Sequence, residues 1–153
     1  HSDPREELIK KMLEDITPTG SIVAFNMAFE KRMIKEMAES FPQYADDLLA
    51  LNDRFVDLIV PFRKLGYYHP DFNGSFSIKS VLPAMFPNDT ELDYKSLEIQ
   101  DGGLAMDTFA NLHKLKDQSQ REFIRNDLFA YCRLDTLAMV KILNELKNEV
   151  ENI

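Results

Sequence analysis

Cysteine is almost missing from this chain. Cys132 is the one example in 153 residues, which excludes an internal disulfide and a cysteine-built zinc cluster and fits a reducing compartment. Long apolar runs are missing as well. No stretch approaches the ~18 uninterrupted apolar residues that a membrane span requires. The opening His1-Ser2-Asp3-Pro4-Arg5 lacks the apolar core of a signal peptide and resembles a cloning or proteolysis remnant. A cytoplasmic address with no membrane partner is the expectation. There is no internal repeat and no low-complexity tract. Positive charge is also in short supply: 18 lysines and arginines face 26 acids, for a net charge of −8. Tight non-specific binding to a phosphate backbone is driven by basic residues that release counterions, so this balance opposes it. An enzyme acting on nucleic acid overcomes such a field with bound divalent cations and with basic residues grouped on one face. Arg121, Arg125 and Arg133, or Lys31, Arg32 and Lys35, are the groups available; the alternative is that they are ordinary solvated helix faces.

What is present suits a folded protein. Apolar residues make up 44% and charged residues 29%, the composition of one globular domain with a real core over 1–153. Residues 5 to 16 place Leu8, Met12 and Ile16 at steps of four beside Leu13, which predicts an amphipathic helix. Thr17-Pro18-Thr19-Gly20 stops it. Ser21-Ile22-Val23-Ala24-Phe25 has no polar alternation and reads as a strand buried on both faces, the one clear strand in the chain. Asn26 is placed to cap a helix reaching about Ser40, with Met33, Ile34, Met37 and Phe41 inward. A second helical pattern runs from Tyr44 to about Phe62, and residues 66 to 74 form an aromatic, turn-rich loop. Shorter and longer helices follow over 77–85, 103–115 and about 118–150.

The final helix carries the first candidate. Leu128, Cys132, Asp135, Met139, Ile142, Leu146 and Val150 recur at steps of three or four, so Asp135 falls within an apolar stripe. A carboxylate there needs a partner, and a divalent metal is one that answers both the burial and the charge. Tyr131 lies one turn earlier on nearly the same face. The plainer alternative pairs Asp135 with an arginine or a loop amide and makes Tyr131 a packing residue. The second candidate is Asn26-Met27-Ala28-Phe29-Glu30, directly after the buried strand, where open parallel sheets place ligands. Glu30 phases with the inward residues of its helix; its plain reading is an acid at the positive end of the helix dipole. Two inward carboxylates about 105 residues apart suit Mg2+ or Mn2+.

The order of strand, Asn-x-x-Phe-acid, helix, a later Asp-Leu, a Ser-x-Lys segment and a final Tyr-x-x-x-Asp resembles the DEDD 3′–5′ exonuclease superfamily, in its tyrosine branch. Gly74 to Pro83 and Tyr131 to Val140 are most similar to an uncharacterised bacterial family of predicted nucleases within it. The resemblance implies an α/β, RNase H-like fold, present here as a mostly helical C-terminal portion with one buried strand and the first three strands missing. It implies that Glu30 and Asp135 are metal ligands, that Tyr131 orients or deprotonates the attacking water, and that Asn26 and Phe29 shape the site. Lys79 and Arg54 are the candidates for phosphate contacts, with pairing to nearby acids as the alternative. The implied substrate is the 3′ end of single-stranded DNA or RNA. Glu30 stands where the superfamily carries aspartate, and the first motif, an Asp-x-Glu on an opening strand, is absent. The expectation is therefore a fragment that cleaves nothing measurable by itself, whose partner is the remainder of a parent chain and whose exposed sheet edges invite pairing between copies. Asp57 is nearer to structure than to catalysis in this comparison, and His69 and His113 receive no metal role. The rival readings are a degenerate helical interaction module and a phosphodiesterase of small nucleotides.

Overall fold

The computed structural model describes residues 3–152, so the expected remnant at His1 and Ser2 lies outside the described residues. The chain divides into two compact units, His1–Pro61 and Phe62–Ile153. The architecture is mostly helical with one small parallel sheet, an α/β arrangement in its coarse form.

The first unit begins with α1 (Arg5–Asp15). Its core comprises Ile9, Ile34, Ala38, Leu48 and Leu51, with Met12, Leu13 and Ile16 packed against them. The buried face of α1 is thus centred on Ile9 and continues at steps of three and four, whereas Leu8 is 58% exposed. This corrects the predicted face: the apolar residues allow two overlapping stripes, and packing selects the one containing Ile9. After a turn at Gly20 with φ +94°, β1 (Ile22–Ala24) leads into α2 (Ala28–Ser40). α3 (Ala45–Asn52) packs on α2, and β2 (Phe55–Asp57) then pairs in parallel with β1, Val23 opposite Val56.

The predicted helix from Tyr44 to Phe62 is therefore broken, and β1 is not alone. Short apolar runs do not distinguish helix from buried strand by periodicity. Here Phe55 and Val56, aromatic and β-branched, take the extended form because β1 needs backbone partners. Ile22 N donates to Arg54 O at 2.9 Å and Leu58 N to Ala24 O at 2.8 Å. The two strands and the intervening helices make a crossover, which parallel strands require.

The second unit starts around an aromatic knot in which Phe62, Tyr67 and Phe72 meet at ring separations of 5.7 to 6.3 Å. α4 (Val60–Arg63) runs into it, and a single 3-10 turn, Pro70–Phe72, orders the loop expected there. α5 (Ile78–Met85) follows Ser77, which holds the N-cap position without making a side-chain cap bond. Two further 3-10 turns, Thr90–Leu92 and Tyr94–Ser96, precede α6 (Gly102–Asn111) and the 34-residue α7 (Gln118–Glu151). Asp101 caps α6 by accepting from Leu104 N at 2.8 Å, and Asp117 caps α7 through Ser119 N at 2.9 Å. The buried stripe of α7 is Tyr131, Leu134, Ala138 and Ile142. It is rotated from the predicted stripe, for Cys132 and Val150 are exposed. Among the described residues, no helix is long and apolar enough to cross a membrane.

Candidate functional site

Within the second unit, Asp135 lies half-buried beside the stripe of α7, and its partner is a tyrosine that the sequence did not single out. Tyr94, carried by a short 3-10 turn 41 residues earlier, donates its hydroxyl to Asp135 Oδ1 at 2.6 Å. Tyr94 and Tyr131 are both buried, with ring centroids 6.3 Å apart. The Tyr131 hydroxyl reaches the first turn of α6, where a β-carbon on Gly102 would stand 3.5 Å from it. Both phenols are raised above the ordinary tyrosine range. Burial is the larger cause for each, followed by Asp135: its hydrogen bond for Tyr94, its negative charge for Tyr131. Tyr131 is accordingly held as a neutral phenol, suited to donate a hydrogen bond and orient an oxygen rather than to remove a proton.

Tyr94 also forms part of the wall of a cavity of about 570 Å³, together with Lys79, Lys95, Gln100, Asp101 and the apolar Phe86 and Leu92. Its three aspartates are committed to local structure. Asp89 pairs with Lys141 at 3.0 Å, which holds its carboxyl below the usual range, while Asp93 and Asp101 receive backbone N–H groups. The Lys79 and Lys95 ammonium groups make no ion pair with a described carboxylate. The cavity therefore sets two lysines and three aspartates between the aromatic Phe86 and Tyr94, beside the Tyr94–Asp135 bond.

In the first unit, the carboxyl ends of β1 and β2 hold a different arrangement. Asn26 does not cap α2 with its side chain. It adopts φ +66°, and its backbone N–H donates to Asp57 Oδ1 at 2.7 Å while Met27 N donates to Asp57 Oδ2 at 3.0 Å. Ile59 N donates to the same carboxylate at 3.1 Å. The chain must turn from strand to helix within three residues, and asparagine tolerates the left-handed conformation that this turn demands. The cap is supplied across the sheet by Asp57, in accord with the positive end of α2. Glu30 is half-buried in the first turn of the same helix. Phe29 is exposed, with the Arg32 guanidinium 5.3 Å from its ring centre. Arg54 donates from Nε to Gly20 O at 2.8 Å and from Nη2 to Thr19 O at 3.0 Å, so it clamps the turn before β1.

The structure thus brings Tyr131 and Asp135 together and adds Tyr94; Glu30, Asn26 and Phe29 gather separately in the other unit, with Asp57 among them. Nothing in the pattern around Tyr94 marks it, because it sits in a loop without periodicity and only folding gives it Asp135. Asp57, read from the sequence as nearer to structure than to catalysis, accepts the backbone N–H groups at the start of the neighbouring helix. Among the described residues no three histidine, cysteine, aspartate or glutamate side chains come together as a metal site, and one Asp135 oxygen accepts from Tyr94.

Comparison with known proteins gives the chain a family without assigning a role to any of these residues, and the family match does not reach Tyr94, Tyr131 or Asp135. Uncharacterized protein MG366 of Mycoplasma genitalium is 27% identical over 150 residues, covering 90% of this chain and 22% of that protein. Uncharacterized protein UU173 of Ureaplasma parvum serovar 3 is 28% identical over 169 residues, covering 97% of this chain and 24% of that protein. The chain thus spans less than a quarter of the length of these relatives. No solved structure matches it significantly. The family described as a domain of unknown function, DUF2779, matches residues 1–77, from α1 through both strands to the start of α5. With just over half of its 153 residues so matched, the chain belongs to the DUF2779 family.

Proposed function

We propose that this chain forms part of a 3′–5′ exonuclease that hydrolyses nucleic-acid phosphodiesters, resembling the tyrosine branch of the DEDD superfamily with its RNase H-like fold. The observation that supports the reading is the Tyr94–Asp135–Tyr131 cluster: a carboxylate fixed by one buried phenol, with a second neutral phenol one helical turn away and a lysine-bearing cavity beyond. In this reading Asp135 keeps one oxygen on Tyr94 and turns the other to the reacting centre. Tyr131 donates a hydrogen bond that orients water or a phosphate oxygen, and Lys79 draws the phosphate into the cavity. Glu30 and Asp135 are at most part of the donor set for Mg2+ or Mn2+, and the remaining acids belong elsewhere in a longer protein. Arg54 supports the fold, since its guanidinium is engaged by backbone carbonyls.

The test is release of nucleoside monophosphates from end-labelled single-stranded DNA and RNA in the presence of Mg2+ or Mn2+. The 153-residue chain by itself is expected to cleave nothing measurable, whereas the same residues within a protein of its relatives' length are expected to degrade one of the two substrates. There Tyr131→Phe should slow turnover by about 10²-fold or more, and Asp135→Asn by at least as much. Full activity in the Asp135→Asn protein, or no release by the longer protein, refutes the reading.

A further inference from the structure

α6 is an apolar helix that buries none of its ten residues. Met106 is 57% and Phe109 66% exposed, and across from them on α7 Phe129 is 63% exposed. A helix this short is marginal on its own and owes its stability to packing, yet its apolar face is covered only along the edge that meets α7. Between the two helices runs a groove of about 440 Å³ lined by Ala105, Met106 and Phe109 on one side and Arg125, Leu128, Phe129 and Cys132 on the other, with Leu112 closing one end. The lining residues of α7 recur at steps of three and four, and those of α6 do nearly so. Two such rows, side by side, form the seat that a third helix fills when ridges pack into grooves. Patches of this kind on a folded protein mark contacts with a partner.

The charge around the groove states what that partner carries. Its single charged lining residue is positive, Arg125, whose guanidinium lies 5.9 Å from the Phe129 ring centre. Arg133 stands two turns after Arg125 on α7, and among the described residues neither arginine is in an ion pair, while Arg121, one turn before Arg125, donates to the Leu115 carbonyl. In a chain of net charge −8, two arginines left without carboxylates beside an apolar groove await acids from elsewhere. We infer that the α6–α7 groove docks an amphipathic helix of a protein partner, with apolar anchors at i, i+3/i+4 and i+7 and an acidic flank over Arg125 and Arg133. The groove offers aliphatic and aromatic walls with room for more than one bulky side chain, which suits leucine and phenylalanine anchors better than the flat stacking of bases. This inference stands independently of the hydrolytic reading.

The experiment uses the 153-residue chain and a labelled acidic peptide of about 18 residues, long enough for several helical turns, with leucines at the stated spacing and glutamates elsewhere. A scrambled peptide of the same composition and a single-stranded oligonucleotide serve as comparisons. The ordered peptide is expected to bind saturably, and Phe109→Ala or Phe129→Ala to weaken it about tenfold or more. Arg125→Glu should weaken it too, as added salt does for the wild type. All three side chains are exposed, and far-UV circular dichroism checks that the variants keep their helix. Slowed hydrogen exchange in α6 on peptide addition gives a second readout. Equal binding of the scrambled peptide, no saturation below about 1 mM, unchanged affinity in the Phe variants, or oligonucleotide binding that competes for the groove each overturns the inference.

Discussion

Asp57 shows how much one side chain decides in this fold. Its two oxygens accept from Asn26 N, Met27 N and Ile59 N, so a single carboxylate satisfies the start of α2 and the exit of β2. Removing it leaves these donors without that acceptor, and hydrogen bonds to a charged group are individually strong. Asp57→Ala is expected to lower stability by about 2–3 kcal/mol, read from the midpoint of urea unfolding at unchanged slope. Asp57→Asn, which keeps one acceptor oxygen, should fall between. Asn26 tests the same corner from the backbone side. Its φ of +66° strains any residue with a β-carbon, asparagine least among the non-glycines. Asn26→Ala should therefore cost about 1 kcal/mol, while Asn26→Gly should be neutral or slightly stabilising. A neutral Ala variant would show that the left-handed turn is not fixed by this residue.

At the scale of elements, periodicity located helices well and faces less well. The helices over 5–16, 103–115 and 118–150 were legible because long 3.6-residue patterns have few rivals, and they emerge within a few residues of those limits. The strand at Phe55–Asp57 was not, since three residues carry no period and only the pairing with β1 decides their conformation. The face of α1 was misread for a related reason. Leu8, Ile9, Met12, Leu13 and Ile16 support two stripes that overlap, and the choice between Leu8 and Ile9 belongs to what α2 and α3 present. Tyr131 and Asp135 were legible as a pair on one face of α7, but Tyr94, which fixes Asp135, was visible only after folding. The faces of α1 yield a direct measurement. Ile9→Ala, at a fully buried position, should cost about 2–5 kcal/mol, whereas Leu8→Ala, largely exposed, should stay within about 0.5 kcal/mol of the wild type. The reverse order would restore the stripe through Leu8.

For the whole molecule, the buried tyrosines couple folding to alkaline pH. In the unfolded chain the phenols of Tyr94 and Tyr131 ionise near their ordinary value of about 10. In the folded chain burial and Asp135 hold both above that value. The folded state thus keeps protons that the unfolded state gives up, and stability must fall as pH climbs past about 10. Below about pH 10 both states are protonated at these positions, and the whole contribution of the Tyr94–Asp135 bond is present. Tyr94→Phe removes that bond and one of the two titrating phenols at once. At neutral pH it should destabilise the chain by about 1.5–3 kcal/mol, the range for a hydrogen bond to a charged group. With rising pH the wild type loses what the variant no longer has, so the gap between them should narrow. Urea unfolding of both proteins across neutral and alkaline pH measures the gap, and the difference in phenolate absorbance between the wild type and Tyr94→Phe reports whether Tyr94 stays protonated until the chain unfolds. A gap that stays constant with pH, or a phenolate signal absent from Tyr94→Phe that forms at the ordinary value in the folded wild type, would place Tyr94 in solvent and detach it from Asp135.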